Sequence, residues 1–261
     1  MRKFLKYILF FLLSLATSCK SKLPYGDALF KPEIILKDQK NFVNYWYSTM
    51  DLSSDYISLD ASLKQMAKGD FLKQIATGAY LPLRLTSDSS SNYYQLYKIN
   101  TPVDNYITTI LQAIGVDEYK NFEWEGKPLP KINYVDLEGK KYDSETIKRK
   151  MLVLDFWFIG CTACVAEMPE LNKLKAQYSN RKDILFAAIA FDKEDALRKF
   201  MKKTDFHFDI ISDTAYYLIK KLGINGFPTS VIINKDGNVV KILDDQYHRL
   251  EGLKEILRTS N

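Results

Sequence analysis

The sequence predicts an α/β fold, a mixed central sheet with helices on both faces, preceded by a small α+β domain. Three observations carry this. Two short runs, Met151 to Phe156 and Ile184 to Ala190, are apolar throughout, as strands buried on both faces are. Segments with helical spacing of apolar residues lie between and after them. Near the end of the chain, Thr229 to Ile233 and Val239 to Leu243 flank Lys235-Asp236-Gly237-Asn238, where Asp-Gly is a strong hairpin signal. Strand and helix in alternation, closed by a hairpin and a last helix, build a sheet that is covered on both sides.

The chain has 261 residues, 46% of them apolar and 26% charged, which is enough to bury a sizeable core and excludes a mainly disordered protein. Residues 1–18 read as a signal peptide. Met1, Arg2, Lys3 and Lys6 make a basic start, Tyr7 to Leu15 an apolar run too short to span a bilayer, and Ala16, Thr17 and Ser18 a small-residue stretch before Cys19. The formal charge of +5 falls to about +2 without that segment, too little to argue for nucleic acid. Residues 19–40 read as a tether and 41–126 as the small α+β domain. Within the latter, Phe42 to Thr49 is ambiguous between helix and strand, and Leu63 to Thr77 is helical with a break at Gly69. Tyr80 to Leu85 and Tyr93 to Ile99 are strands around a polar loop, and Asp104 to Ile114 is a helix that Gly115 would end. This part carries no cysteine, histidine or glycine-rich phosphate loop, so it reads as a packing or partner-binding module.

Gly126-Lys127-Pro128-Leu129-Pro130 marks the seam, because two prolines around one residue forbid helix there. Residues 127–261 then hold the alternating elements. Ile132 to Leu137 and Lys141 to Asp143 flank a turn, the strand from Met151 leads to a helix over Cys164 to Tyr178, and after Ile184 to Ala190 come a charged helix over Glu194 to Lys203 and a short strand over Phe208 to Ile211. Tyr216 to Leu222 is a helix stopped by Gly223, and Leu250 to Leu257 is the closing helix.

Three cysteines are present, and two of them stand in Cys161-Thr162-Ala163-Cys164, where the strand from Met151 hands over to a helix. A sulfur at a helix N-terminus faces unpaired N–H groups and the positive end of the helix dipole, and both favour thiolate, the form that attacks disulfides. Zinc would need more sulfur or imidazole than this, since the only histidines, His207 and His248, are distant in sequence, so no metal site is expected. Both histidines read as structural or solvated, and Glu167 and Glu170 as dipole-capping carboxylates at a helix start.

The run Val153-Leu154-Asp155-Phe156-Trp157-Phe158-Ile159-Gly160-Cys161-Thr162-Ala163-Cys164 resembles the active-site segment of thioredoxins. Its continuation, Glu167-Met168-Pro169-Glu170-Leu171-Asn172, is similar to the TlpA-like, extracytoplasmic thiol-disulfide reductase branch of that superfamily. Gly226-Phe227-Pro228-Thr229 resembles the cis-proline loop that faces the cysteines in that fold. The resemblance covers about half the chain, from near Pro130 onward, and implies a thioredoxin-like fold. It implies Cys161 as the attacking thiol and Cys164 as the resolving one. Pro228, with Phe227 and Thr229, would present an edge to substrate backbone, and Trp157 would shape the surface beside the pair or simply pack. Asp155 would be the buried acid that moves a proton to or from the resolving thiol, against the plainer reading of a hydrogen bond at the strand end. Cys19, placed directly after small residues, resembles the lipidated cysteine of bacterial lipoproteins, although Leu15 lies one position further away than in the usual pattern. Plain secretion and an uncleaved anchor are the alternatives.

These resemblances imply a protein-disulfide reductase whose redox group is the cysteine pair itself, with no other cofactor. It would be a lipoprotein attached through Cys19 outside the bacterial cytoplasm, facing the periplasm. Its partners would be disulfide-containing exported proteins and a membrane thiol electron donor. Gly160 and Ala163 replace the aromatic and the proline usual at those positions, and nothing between the cysteines adds a cation, so a moderate thiol pKa and a reducing couple are expected. A Cu(I)-carrying thiol chaperone is the runner-up. A thiol peroxidase fits less well, since it would need a threonine- and arginine-supported peroxide pocket.

Overall fold

A computed structural model describes residues 23–88, 90–212, 216–245 and 247–260; the readings on residues 1–22, Cys19 among them, lie outside these. The first part of the chain runs β1 (Tyr25–Ala28), α1 (Pro32–Ile35), α2 (Gln39–Thr49), β2 (Tyr56–Leu59), α3 (Lys68–Ile75), β3 (Tyr80–Ser87), β4 (Asn92–Lys98) and α4 (Asn105–Trp124). Its four strands lie in the order β1-β3-β4-β2, with β3 and β4 antiparallel and β2 parallel to β4. Phe42, Phe71, Leu72, Ile75, Leu81, Tyr94 and Leu111 form the core between this sheet and its helices.

One open reading is resolved here and four expectations are corrected. The ambiguous segment from Phe42 is helical, because Asp38 caps it by accepting the Asn41 N–H at 2.8 Å. Residues 25–36, read as tether, instead form β1, paired to β3, and α1, whose Ile35 is buried. The helix expected from Leu63 begins only at Lys68, since the Asp60 carboxylate takes the N–H groups of Ser62 and Lys64 into a turn. That helix runs through Gly69, and α4 runs through Gly115 to Trp124. Neither glycine breaks its helix; each lets another element approach. A Cβ at Gly115 would stand 2.3 Å from the Ala76 backbone nitrogen, and one at Gly69 2.8 Å from the Phe122 ring.

The chain leaves α4 through Gly126 and lies alongside a later strand. The N–H groups of Gly126 and Leu129 donate to Val239 and Gly237, and Lys127 accepts from the Val239 N–H. Pro128 and Pro130 are compatible with this crossing because neither has an N–H to donate. There follow β5 (Tyr134–Val135), β6 (Lys141–Tyr142), β7 (Met151–Trp157), α5 (Thr162–Gln177), β8 (Ile184–Ala190), α6 (Glu194–Met201) and β9 (Asp209–Ile211). Then come α7 (Tyr216–Leu222), β10 (Thr229–Ile233), β11 (Val239–Leu243) and α8 (Arg249–Thr259). The sheet order is β11-β10-β7-β8-β9; β7, β8 and β9 are parallel, and β10 is antiparallel to β7 and to β11. This is the mixed α/β, thioredoxin-like arrangement that the sequence predicts.

Because strand side chains alternate, β7 sorts its residues between two cores. Met151, Val153 and Trp157 pack with Met168, Leu171 and Leu174 of α5 and with Leu253 and Leu257 of α8. Leu152, Leu154 and Phe156 pack on the other face with Leu218 and Leu222 of α7. Asp155 falls on the first face, the one roofed by α5. No helix among the described residues is long and apolar enough to cross a membrane.

Candidate active site

Cys161 is the N-cap of α5. Its sulfur accepts the Cys164 N–H at 3.2 Å and is joined to Cys164 Sγ in a disulfide, with the two Cα atoms 5.3 Å apart. Cys161 is 7% exposed and Cys164 2%, so the first cysteine is the one a substrate reaches more readily. The loop that delivers the pair is fixed at its start, where the Ile159 N–H donates to the Asp192 carboxylate at 2.8 Å. The Cys164 N–H of the first turn of α5 thus points at the Cys161 sulfur.

The bond between Phe227 and Pro228 is cis. Strand register places this loop next to the one that delivers the cysteines: β10 starts opposite the end of β7, with Thr229 paired to Phe156, so the residues before Thr229 lie beside the loop that leaves β7. The half-buried Phe227 ring meets Phe158 edge-on at 5.8 Å and Phe191 at 4.9 Å, and it thereby connects the two loops.

Two of the expected substrate-contacting residues are corrected. Trp157 is fully buried against Phe200 and Phe206, because it is the last residue of β7 on the α5 face, and it therefore packs instead of touching a client. Thr229 is 1% exposed; its hydroxyl donates to the Gly226 carbonyl at 2.8 Å and so braces the proline loop from behind.

Asp155 is buried and belongs to a larger charged group than the sequence suggests. Its Oδ1 accepts from Ser230 Oγ at 2.9 Å and from Arg249 Nη1 at 2.5 Å, and Arg249 Nη2 pairs with Glu167 Oε2. Arg249 is fully buried. Burial pushes the Asp155 carboxyl above the usual carboxylate range, while Arg249 and Ser230 oppose the rise. One guanidinium thus serves two carboxylates. Glu167 is consequently an ion-pair partner of a buried arginine and more than a helix-dipole carboxylate. Glu170, by contrast, bonds among the described residues only to Lys173 on the surface. Sequence reasoning missed Arg249 and Ser230. A signal existed for the arginine, since Arg249 occupies the apolar stripe of α8 one and two turns before Leu253 and Leu257. His207 and His248 bond to Asp205 and Asp245, and among the described residues no group of three or more His, Cys, Asp and Glu is placed to hold a metal ion.

A family model described as Redoxin matches residues 124–255. The chain belongs to the Redoxin family. It is similar to the thiol-disulfide oxidoreductase ResA of Bacillus cereus, with 34% identity over 148 residues that make up 54% of this chain and 86% of that protein. ResA of Halalkalibacterium halodurans is 29% identical over 143 residues, 52% of this chain and 81% of its own length. Among solved structures, the thioredoxin domain of a thiol-disulfide oxidoreductase from Bacteroides vulgatus superposes with a TM-score of 0.45 at 22% identity, covering 52% of this chain and 98% of that one. The matched family segment contains Asp155, both cysteines of the pair, the cis-proline loop and Arg249.

Proposed function

We propose that this Redoxin-family chain is a thiol-disulfide oxidoreductase that reduces disulfides of extracytoplasmic proteins. The observation that carries the reading is the Cys161–Cys164 disulfide at the N-terminus of α5, with Cys161 as the cap, beside a cis-proline loop. In the reduced enzyme the Cys161 thiolate attacks one sulfur of a client disulfide, and the other client sulfur leaves as thiolate. Cys164 then loses its proton and attacks Cys161 Sγ, the mixed disulfide breaks, and the second client thiol departs. Two electrons pass from the enzyme dithiol to the client, and the enzyme is left with the disulfide seen here. We assign Asp155, set on the α5 face of β7 and held by Arg249 and Ser230, as the group that takes the Cys164 proton. The edge before β10, around Phe227 and Pro228, receives the client backbone.

The finer reading is of a TlpA-like reductase attached to the membrane by lipid on Cys19, facing the periplasm and recharged by a membrane thiol donor; the pattern around Cys19 and the reducing character expected of the pair support it. The pair itself is the proposed redox group, and no further cofactor enters the scheme. A Cys164→Ser protein tests the central step, since it stalls after Cys161 attacks. Clients should remain covalently attached and be released by dithiothreitol. Failure to trap any client, together with no reduction of insulin by the wild type, would refute the assignment, and stoichiometric Cu(I) binding without disulfide reduction would replace it with a copper carrier.

A further inference from the structure

Where α2 and α4 of the first part meet the loops before β10 and after β11 lies a cavity of about 450 Å³. Trp46, Tyr47 and Tyr106 line it from one side, Phe227 and Tyr247 from the other. Tyr47 and Tyr247 meet across it with ring centroids 4.3 Å apart. The lining also carries four carboxylates, Asp117, Glu118, Asp244 and Asp245, and among the described residues it contains no lysine, arginine or histidine.

Three of these carboxylates already have partners. Asp245 accepts from the Tyr247 N–H and pairs with His248, Asp244 accepts from Asn121 at 2.8 Å, and Asp117 lies 3.4 Å from Lys120. Glu118 has no hydrogen bond or ion pair among the described residues. Burial, reinforced by the charge of Asp244 and opposed by that of Lys68, pushes its carboxyl up to about 8. Lys68 itself pairs with Glu125 at 3.6 Å, so among the described residues no cation bonds Glu118, which stands among aromatic rings. A cation there would let Glu118 ionise, and the rings would hold it by their faces.

The position of the cavity indicates where such a cation comes from. Gly226 and Phe227 belong to its wall and directly precede the cis Pro228, while the Phe227 ring also meets Phe158, three residues before Cys161. A client strand laid along this loop with its cysteine over Cys161 therefore passes the mouth of the cavity. Long basic side chains suit the lining, because their methylene stems can lie on the rings while the charged head reaches a carboxylate.

We propose that the cavity is a specificity pocket for a lysine or arginine side chain of the client polypeptide, placed a few residues from the client's reacting cysteine. The inference rests on the reductase reading and deepens it by naming a class of client. Glu118 receives the charge, and the first part of the chain supplies most of the aromatic wall. Its role is thus to select clients for the cysteines of the second part.

The test uses the protein with all its described elements, dithiothreitol as reductant, and synthetic peptides with one internal disulfide that differ only in lysine or norleucine at successive flanking positions. At one position or more the lysine peptide should have a kcat/KM about tenfold higher, carried by KM, which corresponds to about 1.4 kcal/mol. The Glu118→Gln protein should bring that ratio close to one, and because both peptides are measured on the same protein, general loss of activity cancels. Equal kcat/KM at every position in the wild type, or an unchanged ratio in Glu118→Gln, overturns the proposal. A second measurement on the wild type alone covers a variant that fails to fold: the S-methylated lysine peptide, which has no disulfide, should change the fluorescence of Trp46 and the norleucine peptide should not. Identical responses overturn the pocket. Turnover of neither peptide defeats the reductase reading, and the fluorescence titration then decides the pocket by itself.

Discussion

The four-stranded and five-stranded sheets belong to two parts of the chain that share one cavity, yet they differ in what holds them and in what they display. The five-stranded sheet is two-sided: β7 sends Leu152, Leu154 and Phe156 into one apolar core and Val153, Asp155 and Trp157 into another, so a charge can sit under α5 only with a buried counter-charge. The four-stranded sheet has its main core on one side, closed by α3 and α4 at the Gly115 contact, and α4 carries Asp117 and Glu118 to the cavity shared with the second part. In the second part the chemistry is built into the strand-to-helix junction. In the first part it arises from assembly.

The largest effect that can break this comparison is at the cysteine itself. Cys161→Ala should lower disulfide turnover by about a thousandfold or more in an insulin reduction assay, because no other group supplies the attacking sulfur. Near-normal turnover would move the chemistry away from the α5 junction. Next in size is Arg249→Met, which leaves Asp155 and Glu167 buried without their cation. Urea denaturation should show a loss of about 3–5 kcal/mol, whereas a loss below about 1 kcal/mol would mean that the ion pairs contribute little.

Gly115→Ala sharpens the same contrast in the other sheet. The new methyl would meet the Ala76 backbone, which is not free to move as a side-chain tip would be, so a loss of about 1–3 kcal/mol is expected. Gly226→Ala meets nothing within 4 Å and should change stability by no more than about 0.5 kcal/mol, so similar losses at both sites would remove the distinction.

A further effect concerns pH. A carboxyl whose pKa is higher in the folded than in the unfolded state contributes stability that is fully present below the unfolded value and is lost as pH rises through the folded one. For Glu118 that window runs from the ordinary 4.5 to about 8. The melting temperature of the wild type should therefore fall more across this window than that of Glu118→Gln, by differential scanning calorimetry at matched ionic strength. Parallel curves would mean that Glu118 does not titrate in the folded cavity.

Much of the second part was legible beforehand because its signals are local. β8 and α7 occupy the stretches assigned from apolar runs, and β10 and β11 flank the Asp-Gly turn as expected. The first part was less legible where glycine served contact instead of termination. Gly69 and Gly115 look like helix breaks in one dimension and are close approaches in three. The candidate site divides in the same way. Cys161, Cys164 and Pro228 stand where a strand, a helix and a turn must put them. Trp157 and Thr229 turned inward because strand alternation, which motif matching ignores, decides their direction.

By itself the sequence determined the order of strands and helices from residue 127 onward, the placing of two thiols at a helix start, and the proline loop that precedes β10, since each depends on residues near one another in the chain. Only the tertiary structure decided that Arg249 lies between Asp155 and Glu167, and that Glu118 shares a cavity with Phe227. Those partners stand 94, 82 and more than a hundred residues apart, and no local propensity encodes which distant side chains burial will force to satisfy one another.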